Sequence, residues 1–152
     1  MKYFSPSSAN PTALPIRIGR PCLDRELNKL QGSVILVGHS LGASVLLKYL
    51  SETACSMQIK GLFLVATPHW NPDGWNSMEW AVRKRFTTHL PLVPVYYFYH
   101  CLKDPVVPIE HLAFYRKAFP KAFFRELSCQ DHVFSSGLKE LLEDIRKVAD
   151  NP

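Results

Sequence analysis

The sequence has no apolar run long enough to cross a membrane. None of its uninterrupted hydrophobic stretches approaches the ~18–20 residues that a membrane span needs. Its first residues turn polar after Phe4, so the apolar core of a secretory signal peptide is missing. With 47% hydrophobic residues among 152, the chain is too apolar for a disordered protein. These observations predict one folded domain over residues 1–152, with a cytoplasmic location and no membrane span.

Clusters of cysteine and histidine at metal-binding spacing are also missing. The four cysteines stand far apart and form no C-x-x-C pair: Cys22, Cys55, Cys101 and Cys129. We therefore expect four free thiols, buried or partly buried, which agrees with a reducing compartment. No metal ion and no organic cofactor is expected.

Basic residues are in modest excess but are not concentrated in one place. Eighteen Lys and Arg against thirteen Asp and Glu give a net charge of +5, and the densest basic run is Arg83-Lys84-Arg85. A nucleic-acid-binding protein normally shows a larger basic patch. We interpret this run as a solvated face and expect no nucleic-acid partner.

Apolar strands and amphipathic helices alternate along most of the chain. Strands are predicted at 33–38, 61–66, 93–100 and 122–127, and helices at about 23–31, 41–53, 108–119 and 135–149. Residues 1–21 contain four prolines and are predicted to be extended, with a short strand near 15–18. The alternation predicts an α/β fold, a three-layer α/β/α sandwich around a short, mainly parallel sheet.

One connection between predicted strands is much longer than the others. Residues 68–91 separate the second strand from the third and hold all three tryptophans, Trp70, Trp75 and Trp80. Long connections in compact domains usually have a function. We expect these tryptophans, together with His39, to line a substrate pocket; the alternative is a plain hydrophobic cover over the sheet.

The segment Gly38-His39-Ser40-Leu41-Gly42 matches the pattern G-x-S-x-G between a predicted strand and a predicted helix. Such a turn is so tight that the neighbours of the serine need small side chains, and it lifts the serine above the sheet. Ser40 is therefore the candidate nucleophile, and the backbone N–H of Leu41 is a candidate donor to an oxyanion. The alternative is an ordinary turn with a capping serine.

A serine nucleophile needs a base, and the base needs an acid to orient it. Of the six histidines, His132 lies in the loop after the last predicted strand, at the carboxyl edge of the sheet where chemistry collects. Asp104 follows the third strand at the same edge. The competing acid is Asp131, but neighbouring side chains in an extended loop point apart. The chain order Ser40, Asp104, His132 is typical of α/β-hydrolases.

Three segments, 34–42, 100–108 and 130–132, carry a resemblance to a known family. In them the chain resembles the small, single-domain serine hydrolases typified by retinoblastoma-binding protein nine. The resemblance implies an α/β-hydrolase fold and, from the bacterial members, carboxylesterase activity. Such proteins ordinarily have a strand, a glycine-containing loop, a helix and another strand before the serine turn, but only 33 residues precede Val34. We expect part of the amino-terminal strands to be lacking, and the second oxyanion donor is unassigned.

Two functions from different classes remain open on the sequence alone. The first is a serine hydrolase that cleaves a small-molecule carboxylic ester through an acyl-enzyme, weakly because one oxyanion donor is unassigned. The second is a non-catalytic protein-binding module that retains the hydrolase frame. In either case the shortened sheet has an open edge, which we expect residues 1–21 or a second copy of the chain, in a homodimer, to cover.

Overall fold

A computed structural model describes residues 16–71, 75 and 77–150 of the chain. The elements follow in the order α1 (Ile16–Leu27), β1 (Ser33–His39), α2 (Leu41–Glu52), β2 (Gln58–Val65), a 3-10 helix (Phe86–His89), β3 (Tyr96–Cys101), α3 (His111–Ala118), β4 (Phe123–Leu127) and α4 (Lys139–Asp150). The four strands form one sheet in the order β1-β2-β3-β4, and each neighbouring pair is parallel. The predicted α/β architecture is confirmed.

The register of the sheet brings the ends of its strands to one edge. His39 pairs with Val65, Val65 pairs with Tyr99, and Tyr99 pairs with Arg125. Since all four strands run the same way, the segments that follow them leave the sheet on the same side. The candidate nucleophile, acid and base all lie in such segments.

Helices cover both faces of the sheet. Alternating residues of β2 belong to two different apolar clusters, with Leu62 and Leu64 in one and Phe63 and Val65 in the other. Side chains alternate between the faces of a strand, so the clusters lie on opposite faces. The first cluster includes apolar residues of α1, α2 and α3, and the second includes residues of α4. Among the described residues, no helix is long and apolar enough to span a membrane.

The first described residues form a helix rather than the extended segment expected from the sequence. Helix α1 begins at Ile16 and contains Pro21, where an extended chain, and a short strand near 15–18, was expected. Proline removes one helical hydrogen bond, but Leu23 and Leu27 are almost fully buried in the core. Burial of an apolar helix face stabilises a helix more than local propensity does. Residues 1–15 lie outside the described residues, and so does their expected role at the sheet edge.

The expectation of four free thiols is wrong for one pair of cysteines. Cys101 and Cys129 form a disulfide with their Cα atoms 5.0 Å apart, although 28 positions separate them in sequence. Cys101 pairs with Leu127 in the neighbouring strand, and this register brings Cys129, two residues later, next to Cys101. One amino-acid sequence by itself does not reveal that register. The other two cysteines, Cys22 and Cys55, are free.

A buried carboxylate joins α4 to the sheet. Asp144 of α4 is 1% exposed, and it accepts hydrogen bonds from the Tyr99 hydroxyl, from two nitrogens of Arg125 and from the Lys147 ammonium group. Burial alone raises the pKa of Asp144, but the hydrogen bonds from these groups outweigh it and hold the pKa below the ordinary carboxyl value. Asp144 is therefore ionised at neutral pH and fastens the last helix.

We expect Asp144→Asn to lower the free energy of unfolding at pH 7 by about 1–3 kcal/mol, because charge-assisted hydrogen bonds are lost from a buried site. A depressed carboxyl pKa stabilises the fold above the unfolded pKa, and this stabilisation is lost as pH falls through the folded pKa. The difference between wild type and variant therefore shrinks below about pH 4. Urea unfolding from pH 7 down to pH 3 measures it.

The exposed Glu143, one residue earlier on α4, offers the matched control. Glu143→Gln should change stability by less than about 0.5 kcal/mol. A loss in Asp144→Asn that stays constant with pH contradicts the role of the buried charge.

Candidate active site

A single residue, Ser40, lies between the end of β1 and the start of α2. Its φ of 52° and ψ of −124° place it in a region that residues with a Cβ rarely adopt, at a cost of about 1–3 kcal/mol. Two backbone hydrogen bonds hold the turn. Ser40 N–H donates to the Val65 carbonyl at 2.8 Å, and the Ala43 N–H donates to the Ser40 carbonyl at 3.0 Å. The sharp turn projects the Ser40 side chain away from the strand.

The glycine at position 38 is required by the approach of α2 to β1. A Cβ at Gly38 would lie 2.7 Å from Cα of Ala43 and 2.9 Å from its backbone nitrogen. Backbone atoms cannot move aside as a flexible side chain can. This contact explains in physical terms why the serine turn carries a glycine two residues before Ser40.

Three side chains form one chain of hydrogen bonds at this edge of the sheet. Ser40 Oγ lies 2.9 Å from Nε2 of His132, and Nδ1 of His132 lies 2.8 Å from Oδ2 and 3.0 Å from Oδ1 of Asp104. An ionised carboxylate only accepts hydrogen bonds, so Nδ1 carries the proton and Nε2 accepts from the serine hydroxyl. The structure thus brings together the three residues that the sequence analysis selected.

The carboxylate of Asp104, the candidate acid, is shielded from solvent and accepts several hydrogen bonds. The Asp104 side chain is fully buried, and its Oδ1 also accepts hydrogen bonds from the backbone N–H groups of Val106 at 2.8 Å and Val107 at 2.9 Å. Burial raises the pKa of Asp104, but the hydrogen bonds from His132, Val107 and Val106 outweigh it and lower the pKa below its usual value. Asp104 is therefore an anion at neutral pH.

A buried histidine closes the loop that carries the acid. His100 is fully buried, and its Nε2–H donates to the Val107 carbonyl at 2.8 Å. Within the described structure its Nδ1 has no hydrogen-bond partner. Val107 in turn donates to Asp104, so the His100 ring supports the acid through the backbone. This role could not be predicted from the sequence, because a histidine at the end of a strand has no distinguishing pattern.

His39 contacts the loop that carries the base. Its Nε2 lies 2.8 Å from the His132 carbonyl oxygen and donates a hydrogen bond to it, and the two rings are 4.9 Å apart. Burial lowers the pKa of His39, which favours the neutral ring. His39 therefore helps to hold the base loop in place, a role that the sequence analysis did not assign. Its expected place in a substrate pocket remains a prediction.

The competing acid, Asp131, is used within its own loop. Its Oδ1 accepts from the Val133 N–H at 3.0 Å, and its Oδ2 accepts from the N–H and the hydroxyl of Ser135. None of the hydrogen bonds described for the Asp131 carboxylate involves the imidazole of His132, which bonds to Asp104 instead. The loop forms a turn at 132–133, where an extended loop was expected.

Two of the three tryptophans lie beside the first turn of α2. The indole N–H of Trp70 donates to Ser44 Oγ at 2.8 Å, and the Ser44 N–H bonds to the Ser40 carbonyl at 3.3 Å. Trp75 packs edge to face on Trp70, with the rings 5.3 Å apart. Trp80 is only 9% exposed and offers little surface to a ligand. Trp70 and Trp75 are therefore the better candidates for a pocket wall.

The amide of Leu41 is the first of helix α2. Amides in the first turn of a helix have no carbonyl partner within the helix, so this N–H is available to an oxyanion that forms near Ser40. The second donor stays unassigned. Residues 1–15 lie outside the described residues.

Comparison with known proteins yields one family and a set of similar folds. The family model for serine hydrolases matches residues 21–141. No functionally curated protein matches the sequence significantly.

The similar solved structures share little sequence with this chain. The ydeN gene product from B. subtilis is 16% identical with a TM-score of 0.76, over 94% of this chain and 80% of that one. Alpha/beta hydrolase domain-containing protein 10 from mouse is 17% identical with a TM-score of 0.65, over 93% and 72%. Esterase PE8 is 18% identical with a TM-score of 0.64, over 88% and 61%. At such identities these likenesses establish the fold alone, which is that of the α/β-hydrolases.

The family match covers the strand before Ser40, the acid loop, the base loop and the start of the last helix. It extends over well more than half of the 152 residues. The chain belongs to the serine hydrolase family.

Proposed function

We propose that this hydrolase cleaves carboxylic esters of small molecules through an acyl-enzyme on Ser40. The observation that carries the proposal is the hydrogen-bond chain from Ser40 Oγ through the His132 ring to the buried Asp104 carboxylate, at 2.9 and 2.8 Å. Those distances suit proton transfer from the hydroxyl to the imidazole. Membership of the serine hydrolase family supports the same chemistry.

In the proposed reaction Ser40 Oγ attacks the ester carbonyl while His132 Nε2 takes the hydroxyl proton. Asp104 stays ionised, keeps the ring in the tautomer with its proton on Nδ1, and stabilises the imidazolium. The imidazolium then protonates the leaving alcohol. In the second half His132 takes a proton from water, which attacks the acyl-enzyme, and the acid product leaves.

The oxyanion that forms in each half-reaction receives one assigned donor, the Leu41 N–H. One such donor is typically worth ~10²–10³ in kcat. An activated aryl ester, whose leaving group departs readily, needs less oxyanion stabilisation than an amide, which has a higher barrier. The proposal is therefore an esterase with weak turnover and no amidase activity.

Four further features of the protein, its closer family likeness, its location and two statements about partners, belong to the same proposal. They are the specific likeness to retinoblastoma-binding protein nine, the cytoplasmic location, the lack of a nucleic-acid partner, and a homodimer through the edge of β1 that pairs with no strand of the described residues. In a cytoplasmic location the disulfide between Cys101 and Cys129 belongs to the class of transient, redox-active disulfides rather than to permanent crosslinks. A non-catalytic binding module is the alternative outcome of the first test below.

We expect p-nitrophenyl acetate to be hydrolysed with a kcat below about 10 per second, and the matching p-nitroanilide to be left intact. A fluorophosphonate probe, which reacts only with an activated serine, should label the protein. Ser40→Ala should lose both hydrolysis and labelling, whereas Ser51→Ala, a control on the same helix, should keep both. Wild-type protein that is folded but unlabelled would identify a binding module instead.

We expect Asp104→Asn to lower kcat by ~10⁴-fold, since loss of the charge favours the wrong tautomer of the base. Asp131→Asn should cost less than tenfold, because Asp131 bonds only within its own loop. Steady-state kinetics on an aryl ester measure both, and fluorophosphonate labelling rates check them independently. A comparable loss in the two variants would refute the assignment of the acid.

We expect Trp75→Ala to shift the preference among acyl chains. Loss of an apolar contact worth about 1.5–3 kcal/mol should lower kcat/KM for p-nitrophenyl octanoate by about 10- to 150-fold relative to that for acetate. The buried Trp80 provides the control, since Trp80→Phe should lower thermal stability and leave the ratio unchanged. An equal loss on acetate and on octanoate would show that Trp75 lies outside the pocket.

A further inference from the structure

The loops that carry the proposed acid and base are joined by a covalent bond. Cys101 ends β3 three residues before Asp104, and Cys129 lies three residues before His132. The disulfide between them sets their Cα atoms 5.0 Å apart. Each sulfur therefore anchors the segment that leads to one member of the Asp104–His132 pair, which itself bonds at 2.8 Å.

Few other bonds join the two loops upstream of that pair. The Leu102 N–H donates to the Leu127 carbonyl at 2.9 Å, and the Lys103 N–H donates to the Cys129 carbonyl at 3.2 Å. Strand β4 is the last strand of the sheet and pairs only with β3 in the described structure. Since an edge strand has neighbours on one side only, the base loop depends strongly on its ties to β3.

We infer that the Cys101–Cys129 disulfide positions the acid against the base for catalysis, and that its reduction by a dithiol lowers turnover. The inference rests on the proposed function, because it assigns the disulfide a role in the Asp104–His132 pair of that mechanism. A misplacement of about 1 Å between reacting groups can cost about 10²-fold in rate while the domain stays folded. Cys101 and Cys129 are thus positioning residues.

The surroundings of the two sulfurs determine how reduction proceeds. Cys101 is fully buried, whereas Cys129 lines an open cavity of about 460 Å³. One thiolate of a dithiol attacks the Cys129 sulfur, the S–S bond breaks, and Cys101 leaves as a thiolate that takes up a proton. The second thiol of the reductant then attacks the mixed disulfide and releases Cys129 as a thiol. Two electrons pass to the protein, and the reductant ends as a disulfide.

The acidic lining of the cavity favours an uncharged reductant. Three acidic residues line it: Glu126, Asp131 and Glu140. Their charges repel an anionic thiol such as glutathione. Dithiothreitol carries no carboxylate and is the suitable probe.

The experiment compares oxidised protein with dithiothreitol-treated protein, using kcat and KM on p-nitrophenyl acetate, the rate of fluorophosphonate labelling, and a count of free thiols. Reduction should expose two further thiols and lower kcat by about 10- to 100-fold. KM should stay within twofold, because the proposed pocket residues Trp70 and Trp75 lie on another segment. Reoxidation should restore kcat. Far-ultraviolet circular dichroism checks that the reduced protein stays folded.

Two variants separate this bond from the other thiols. Cys22→Ser/Cys55→Ser, which removes the two free cysteines, should respond to dithiothreitol as the wild type does. Cys101→Ala/Cys129→Ala should have the low kcat of the reduced wild type before any treatment, and dithiothreitol should not change it.

Each contrary result has a distinct meaning. Oxidised protein that the fluorophosphonate does not label would overturn the proposed function itself. Labelled protein that releases the two thiols with kcat unchanged would overturn the inference and leave the proposed function standing. Global unfolding on reduction, or failure to release the thiols, would also overturn it, since the bond would then be a structural staple or closed to reductant.

Discussion

A single residue, Ser40, connects the last residue of β1 to the first residue of α2, and its φ is positive. The rest of the site depends on that turn. It requires a glycine at position 38, because the first turn of α2 passes within 3 Å of where a Cβ would lie. It also makes the Leu41 amide, the first of α2, the immediate chain neighbour of Ser40. The energy that holds the strained backbone comes from packing of β1 and α2 in the core, where Leu46 and Leu50 are almost completely buried.

The parallel sheet supplies the second part of the arrangement. His132 lies 92 positions after Ser40 in the sequence, yet both follow strands that end at one edge. Parallel pairing alone brings the loops to the same side; the final distances depend on bonds between loops. His39 bonds to the His132 backbone, His100 bonds to the Val107 backbone, and the disulfide joins the two loops near their bases.

Local patterns in the sequence were sufficient to predict the four strands and to select three residues that the structure brings into hydrogen-bond contact, because those signals are short-range. A run of β-branched residues, a change of period after Gly42 and the spacing of the serine turn each lie within a few positions. The catalytic role of Ser40, Asp104 and His132 remains a prediction that kinetics must test. The sequence failed where long-range pairing decides the outcome. The disulfide depends on the β3–β4 register, and helix α1 continues through Pro21 because its apolar face is buried.

Two carboxylates lie close to the base, and their surroundings give them different roles. Asp104 reaches His132 from another strand, is fully buried, and keeps both oxygens in hydrogen bonds with N–H groups. Asp131 is the chain neighbour of His132, but none of its described hydrogen bonds involves the ring. It accepts hydrogen bonds from Val133 and Ser135 instead and so shapes the turn that presents the imidazole. Distance along the chain therefore does not decide which carboxylate meets the ring: the β3–β4 register brings the loop of Asp104 to the loop of His132, and the Asp104 carboxylate lies 2.8 Å from Nδ1.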